Sequence, residues 1–168
     1  MTADLTWFTV TGEYLDVENP STVGSNTQPR VNTVSGFVTI FPRIPTGSVL
    51  YISAFDLTQT QGGTGTAATA LAFPPIQCRI LSGTLQTIDQ SNAPSIQLVA
   101  NTSIISNALI AQGLVSSGVL YYDVQYTYVK YAAAAQQIQN FSFIAPTTTG
   151  QTISLTDPAL ARYPYLGP

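Results

Sequence analysis

Residues 119–155 read VLYYDVQYTYVKYAAAAQQIQNFSFIAPTTTGQTISL, and their pattern is the strongest indication of the fold. In its first part, apolar and polar side chains alternate, and successive residues of a strand point to opposite faces. The apolar parity holds Leu120, Tyr122, Val124, Tyr126 and Tyr128, and the polar parity holds Tyr121, Asp123, Gln125 and Thr127. The pattern predicts a strand with one buried face and one wetter face.

The same alternation continues to the end of the stretch. Phe141 and Phe143 are predicted to point inward, with Asn140 and Ser142 pointing outward. After the turn-forming Thr-Thr-Thr-Gly run, residues 152–155 alternate again. Three half-buried strands need a second layer to cover them, so the stretch predicts a β-sandwich or barrel.

Six upstream segments also have strand-like patterns bounded by turn residues: 5–15, 33–41, 49–57, 76–81, 84–89 and 95–100. Gly36 lies inside one of them, which predicts a bulge or a close approach of two backbones. Ser82 and Gly83 predict a hairpin turn. We therefore expect an all-β, antiparallel β-sandwich of about eight or nine strands, with at most short helical turns.

The remaining segments are predicted to connect these strands. Asp, Asn, Pro, Gly and Ser residues predict a long loop over 16–32, and the Gly/Thr-rich segment 58–72 predicts a mobile surface loop. Residues 101–117 have helix-like apolar spacing and fit either a short helix or an apolar loop. Residues 132–137 fit one helical turn, but six residues between two strands favour a hairpin loop. We expect one β-sandwich domain over 1–160 and a Tyr/Pro-rich C-terminal arm over 161–168.

The composition is poor in charge and rich in neutral polar residues. Charged residues make up 8% of the 168 residues, while 45% are hydrophobic, so the chain is expected to fold as one domain. A surface of hydroxyls and amides suits permanent packing between subunits, because buried charge costs several kcal/mol unless paired. The five Lys and Arg residues are scattered and the net charge is −3, so nucleic-acid binding is not expected.

The residues needed for most enzyme chemistry are missing from the sequence. It has no histidine, which excludes Ser-His-Asp, Cys-His and His-metal sites. Its one cysteine, Cys78, is interpreted as a small buried hydrophobe. Asp16 and Glu18 are solvated charges or, alternatively, a weak calcium site. We therefore expect no enzyme activity, no catalytic residue, no cofactor and no committed metal site.

Targeting signals and aromatic residues bear on location and partners. The N-terminus shows no secretory signal, and no run is long and apolar enough to span a bilayer, so neither export by a standard signal nor membrane insertion is expected. The nine tyrosines and one tryptophan are compatible with carbohydrate binding, because aromatic rings stack on sugar faces. Trp7 and Tyr121 are predicted to be the exposed rings. The aromatic arm is expected to dock on its own domain or on a neighbour.

A series of motifs spans nearly the whole chain: FTVTGEY at 8–14, VSGFVTIFP at 34–42, FPPIQCRI at 73–80 followed by SG at 82–83, IQLVA at 96–100, YDVQY at 122–126, FSFIAP at 141–146 and GQTISLT at 150–156. In this order the motifs resemble minor tail proteins, a family of tail-associated domains in long-tailed phages of actinobacteria such as mycobacteria. The chain departs from that family at residues 118–120, where Gly-Val-Leu stands in place of a common Trp.

The resemblance implies a structural virion protein, a tail-tip or adaptor component in the virion, with no catalytic residues to carry over. The alternatives are a capsid decoration protein and a carbohydrate-binding module for the host surface. The implied partners are other phage virion proteins and further copies of the chain in a trimer or hexamer-related symmetry, with a host-surface glycan as a further possibility. The residues expected to form the assembly interface are Arg162, Tyr163, Tyr165 and Leu166.

Overall fold

The structure is a computed structural model that describes residues 7–18, 30–45, 48–52, 69–73, 75–88, 93–130, 138–148 and 150–166. Within these residues the chain forms thirteen short strands and one helix, α1 at Ser103–Ala111. The strands are β1 Trp7–Thr11, β2 Leu15–Glu18, β3 Arg30–Thr33, β4 Ser35–Pro42, β5 Leu50–Ile52, β6 Thr69–Leu71, β7 Ile76–Leu81, β8 Thr84–Thr87, β9 Ile96–Val99, β10 Tyr121–Lys130, β11 Phe141–Ile144, β12 Thr152–Ser154 and β13 Tyr163–Pro164.

Two sheets form the body of the domain. The larger has six strands in the order β13-β11-β10-β4-β7-β8, and the smaller has three in the order β12-β1-β9. All pairings are antiparallel except that of β1 with β12, which is parallel. The predicted all-β class with antiparallel sheets and a sandwich-like arrangement is confirmed.

Aromatic contacts join the two sheets through the core. Phe8 on β1 is fully buried and meets the rings of Tyr122 and Phe143 edge-on, at centroid distances of 5.8 and 6.1 Å. Such pairs add about 0.5–1.5 kcal/mol each beyond the apolar area that they bury. The Tyr122 hydroxyl donates a hydrogen bond to the carbonyl of Val99 on β9 at 2.8 Å. The inward parity predicted for Tyr122 and Phe143 is therefore observed.

The predicted long loop over 16–32 is wrong at both ends. Residues 15–18 form β2, which pairs with β3 in an antiparallel hairpin with Leu15 opposite Thr33 and Glu18 opposite Arg30. Residues 19–29 lie outside the described part. The predicted first strand also ends early, because β1 stops at Thr11. Cross-strand pairing completes backbone hydrogen bonds even where local composition favours a loop, so short strands bring the count above eight or nine.

The hairpin predicted from Ser82 and Gly83 is confirmed. These residues join β7 to β8 with φ of 53° and 83°, the left-handed conformations that a two-residue hairpin turn requires. Strand β7 occupies 76–81 as predicted. Both features are local, and this is why the sequence pattern alone predicts them correctly.

Helix α1 resolves the alternatives left open for 101–117. Ile105 and Leu109 are buried one turn apart on the same helix face. The helix is tied to β5 by the amide of Gln112, which donates to the Tyr51 carbonyl at 2.7 Å and accepts from the Tyr51 N–H at 3.0 Å. The side chain thus imitates a strand partner for β5.

Three other predicted segments are described only in part. Strand β5 covers 50–52 of the strand predicted at 49–57, and residues 53–57 lie outside the described part. The loop predicted at 58–72 ends in β6, which pairs with β5, while 58–68 lie outside the description. The hairpin loop predicted at 132–137 also falls outside it. No helix in the described ranges is long and apolar enough to cross a membrane.

Candidate functional site

Two regions of the outer face of the six-stranded sheet hold the polar and aromatic groups of interest. The first, which we call the arm cluster, consists of Arg43, Asp123, Ser142 and the carbonyl of Pro164. The second, which we call the aromatic depression, is lined by Phe37, Thr39, Gln77, Cys78, Ile88, Thr127 and Tyr128. They lie at opposite ends of strand β10.

The arm cluster is an ion pair whose carboxylate is buried and whose guanidinium is partly exposed. Asp123 is 3% exposed and accepts from Arg43 at 2.8 Å (Nη2 to Oδ1) and 3.4 Å (Nε to Oδ2). The fully buried Ser142 lies opposite Asp123 on β11, with its hydroxyl against Oδ1. The sequence places both residues on the outer face correctly, but the expectation that this face is wet is wrong here. Arg43 and the C-terminal arm cover it.

The C-terminal arm closes the cluster through its main chain. The Pro164 carbonyl lies 3.0 Å from Arg43 Nη2 and 3.0 Å from the Ser142 hydroxyl. Strand β13 pairs with β11 by placing Tyr163 opposite Ser142. The arm therefore docks on its own domain, the first of the two alternatives predicted from the sequence.

Aromatic and cationic contacts hold the arm from both sides. Tyr163 meets Tyr121 edge-on at 5.5 Å, and the Arg43 guanidinium lies 4.7 Å from the Tyr121 ring centre. Tyr121 is therefore half-buried, not the exposed ring that was predicted. The Arg162 guanidinium lies 5.2 Å from the centre of the Phe141 ring and donates a hydrogen bond to the Leu155 carbonyl at 2.8 Å.

Exposure alternates along the arm. Arg162, Pro164 and Leu166 are exposed, and Leu166 reaches 69%. Tyr163 and Tyr165 are half-buried. The pKa of Tyr165 is raised, first by burial and second by the negative charge of the nearby Asp123 carboxylate. One face of the arm thus packs on the domain while the other points to solvent. Of the four predicted interface residues, Arg162 and Leu166 present exposed surface; their role in assembly stays a prediction.

A cavity of about 600 Å³ lies beside the arm, and Arg162 and Tyr163 form part of its wall. Its lining also includes Tyr14 and Tyr126, whose hydroxyls are hydrogen-bonded to each other at 2.7 Å. Asn140 accepts from the Tyr126 N–H at 2.9 Å. The tyrosine rings serve here as packing and hydrogen-bonding elements, since Tyr14 is buried and Tyr126 half-buried.

The aromatic depression encloses about 220 Å³ and has exposed rings at its rim. Tyr128 is 76% exposed and Phe37 is 50% exposed. Phe37 lies opposite Thr127 on the neighbouring strand β10, and Thr39 lies opposite Gln77 on β7. The lining therefore combines apolar rings with neutral hydroxyl and amide groups, and no charged side chain occurs among the lining residues that the structure describes.

A β-bulge explains why Tyr128 points outward. The pairing of β10 with β4 shifts register between Thr127 and Lys130, and Tyr128 has a φ of 55°. Gly36 makes the close approach possible, because a Cβ there would lie 2.8 Å from the Cα of Val129. The bulge or close approach predicted from Gly36 is thus confirmed. The inward position predicted for Tyr128 is wrong, because the bulge breaks the two-residue period.

The other candidates from the sequence have simpler roles. Trp7 is 49% exposed, as predicted. Cys78 is buried, and burial raises the pKa of its thiol to about 12, so it behaves as a small apolar side chain. The side chains of Asp16 and Glu18, the alternative calcium ligands, fall outside the described part. Among the described residues no three His, Cys, Asp or Glu side chains group as metal ligands.

The chain matches no protein-family model, no curated protein and no solved structure in the three comparisons. We therefore infer the function from the arm cluster, the aromatic depression and the motif series of the sequence.

Proposed function

We propose that the chain is a structural virion protein of a long-tailed bacteriophage. It acts as a tail-tip or adaptor component that assembles with copies of itself and with other virion proteins. The observation that carries the proposal is the C-terminal arm, an edge strand with one face docked and an exposed apolar side chain, Leu166, on the other.

The position of the arm suits pairing between chains. Strand β13 is the last strand of the six-stranded sheet, with β11 as its one neighbour among the described strands. An edge strand presents backbone N–H and C=O groups that a strand from another chain can use. Pro164 limits how many of these groups can donate, so contacts made by Arg162 and Leu166 would supply much of the specificity.

The composition of the chain suits lasting contact better than transient charged contact. With charged residues at 8%, few ions have to lose their hydration when two copies meet. Neutral hydroxyl and amide groups cost less to bury than unpaired charges do. An assembled module of this kind would hold its neighbours through apolar and main-chain contacts.

The first experiment is size-exclusion chromatography with light scattering on the full chain, alone and mixed with the virion proteins encoded beside it. We expect a symmetric oligomer, or a monomer that joins a complex when a partner is present. Leu166→Asp should weaken that association at least about tenfold, because a charge would have to be buried at the contact. Ile110→Asp, at an exposed position of α1, is the matched control and should leave it unchanged.

A strict monomer that ignores every virion protein would overturn the proposal. If the Leu166 and Ile110 variants weaken association equally, the arm is not part of the interface. A capsid decoration protein is the alternative within the same class, and co-purification with head proteins rather than tail proteins would identify it.

A further inference from the structure

The aromatic depression is a feature that assembly through the arm does not use. It lies on the outer sheet face at the end of β10 far from the arm, and its rims are the rings of Phe37 and Tyr128. Large apolar side chains that stay exposed together mark interaction sites more often than isolated ones do. The depression therefore calls for an occupant whose chemistry matches its lining.

The lining specifies the chemical class of that occupant. The rings offer flat apolar surfaces, while Thr39, Thr127 and Gln77 offer hydroxyl and amide groups that can both donate and accept hydrogen bonds. None of the described residues that line it is charged, so this described lining favours neither an anion nor a cation. A pyranose ring has one apolar face and several neutral hydroxyl groups, and it matches both parts of the lining.

The size of the depression limits the ligand to one ring. Its volume of about 220 Å³ lies below the roughly 300–1,000 Å³ of pockets that enclose drug-sized molecules. One sugar unit would occupy it, and the rest of an oligosaccharide would extend across the open sheet face. Such a site would bind a single sugar unit of a longer oligosaccharide.

Backbone strain at Tyr128 is a second, independent observation. A φ of 55° is rare for a bulky side chain and disfavours this residue relative to Gly or Asn. Strained residues of this type persist where the surrounding structure holds them, and they cluster at ligand sites. The bulge against Gly36 holds the strained residue, and its effect is to present the Tyr128 ring to solvent.

We propose that the aromatic depression binds one ring of an uncharged saccharide. The sugar stacks its apolar face on Tyr128 and Phe37, and its hydroxyl groups hydrogen-bond to Thr39, Gln77 and Thr127. This binding goes beyond the assembly function, uses different residues and does not require the chain to be a virion protein.

Saturation-transfer NMR on the full chain tests the proposal. The probes are glucose, galactose, mannose and N-acetylglucosamine, their disaccharides, and glucuronic acid as a charged comparison. We expect transfer to at least one neutral sugar, with a Kd on the order of 1 mM as one sugar ring allows. Glucuronic acid should bind at least about tenfold more weakly than the neutral sugar of the same ring.

Variants at Tyr128 separate ring stacking from folding. Tyr128→Phe keeps the ring and should retain binding within about threefold. Tyr128→Asn suits the left-handed backbone and removes the ring, and it should weaken binding at least about tenfold. Tyr51→Ala removes another exposed tyrosine ring, on β5, and should leave binding unchanged. Leu166→Asp should also leave it unchanged, so a failure of assembly and a failure of sugar binding are distinguishable.

Three results would overturn the proposal. One is the absence of saturation transfer to every neutral sugar while the chain is folded. Another is binding that Tyr128→Asn does not weaken, which would place the site elsewhere. The third is an oligomer of the wild-type chain that Tyr128→Asn dissociates, since the depression would then be a contact between copies.

Discussion

Strand β10 carries a closed region at one end and an open region at the other. At Asp123, the carboxylate, the guanidinium of Arg43 and the hydroxyl of Ser142 are all paired and largely dry. At Tyr128, the ring is exposed and the backbone is strained. A satisfied polar network stabilises a fold, whereas exposed rings on a strained backbone cost stability. The first region therefore has a structural role, and the second is the region for which we propose ligand binding.

The largest expected effect is at the closed end. Asp123→Ala leaves the Arg43 guanidinium without its buried carboxylate, and breaking a buried pair costs about 3–5 kcal/mol. Because the Arg43 side chain is 27% exposed, we expect about 2–3 kcal/mol in urea unfolding. Asp157→Asn, at an exposed position, is the control. A change below about 0.5 kcal/mol would mean that the ion pair contributes little and would remove the contrast between the two ends.

Shortening the chain to end at Ala161 should have the next largest effect. The variant removes the Pro164 carbonyl from Arg43 and Ser142, and each lost hydrogen bond to a charged or buried group costs about 1–2 kcal/mol. We expect a loss of about 2 kcal/mol and a fall of roughly 4–8 °C in Tm, with circular dichroism still showing a folded β domain. A chain that fails to fold would make the arm part of the core.

Gly36→Ala tests how the open end is built. The new Cβ would lie 2.6 Å from Cγ2 and 2.8 Å from Cα of Val129, and the backbone atom cannot move aside cheaply. Overpacking of this kind costs about 1–3 kcal/mol. The bulge should shift as well, so saccharide binding should fall together with stability. Gly150→Ala is a weaker comparison because its φ is positive, but space around it is open. If Gly36→Ala keeps full stability, the close approach is not needed.

Tyr128→Asn should raise stability, the opposite sign from the variants at the closed end. Asn tolerates a φ of 55° better than Tyr does, and relief of this strain is worth about 0.5–1 kcal/mol. Urea unfolding measures the gain. A loss of more than about 1 kcal/mol would show that the exposed ring packs against the domain and would argue against a binding role.

The smallest effect at neutral pH concerns Cys78, which lies beneath the aromatic depression. Its pKa is raised from 9.0 to about 12 by burial, so the folded state favours the neutral thiol. Its contribution to stability is therefore full below pH 9 and is lost as pH rises from 9 toward about 12. Cys78→Ala should flatten that part of the pH profile. The native thiol should react with a disulfide reagent at pH 8 only after unfolding, and rapid reaction would mean that the depression is deeper than described.

Patterns within a few residues predicted the local structure well. The alternation over 76–81 and the Ser82-Gly83 turn gave β7 and the hairpin to β8 correctly. Helix-like spacing around Ile105 and Leu109 indicated a helix without distinguishing it from an apolar loop. The pairing of β2 with β3 was missed because their polar, Pro- and Gly-rich surroundings resemble a loop.

The candidate sites were less accessible to sequence reasoning. The partners of Asp123 come from Arg43, 80 residues away, and from Ser142, 19 residues away. Neither spacing produces a motif, so the sequence pattern predicts Asp123 only as a residue on a wetter face. For the aromatic depression, Gly36 was the available signal, since it predicted a bulge or close approach but not which residue of the partner strand would turn outward.

Side-chain periodicity and turn chemistry act over a few residues, so they were enough to predict the all-β class, the faces of β11 and of β10 as far as Thr127, and the aromatic arm. The covering of Asp123 by the arm and the exposure of Tyr128 arise at the level of the tertiary fold. Those outcomes depend on which distant strands become neighbours and on a register shift against Gly36. Burial and exposure depend on which strands are neighbours in the assembled sheet. A local sequence pattern can therefore indicate them but cannot determine them.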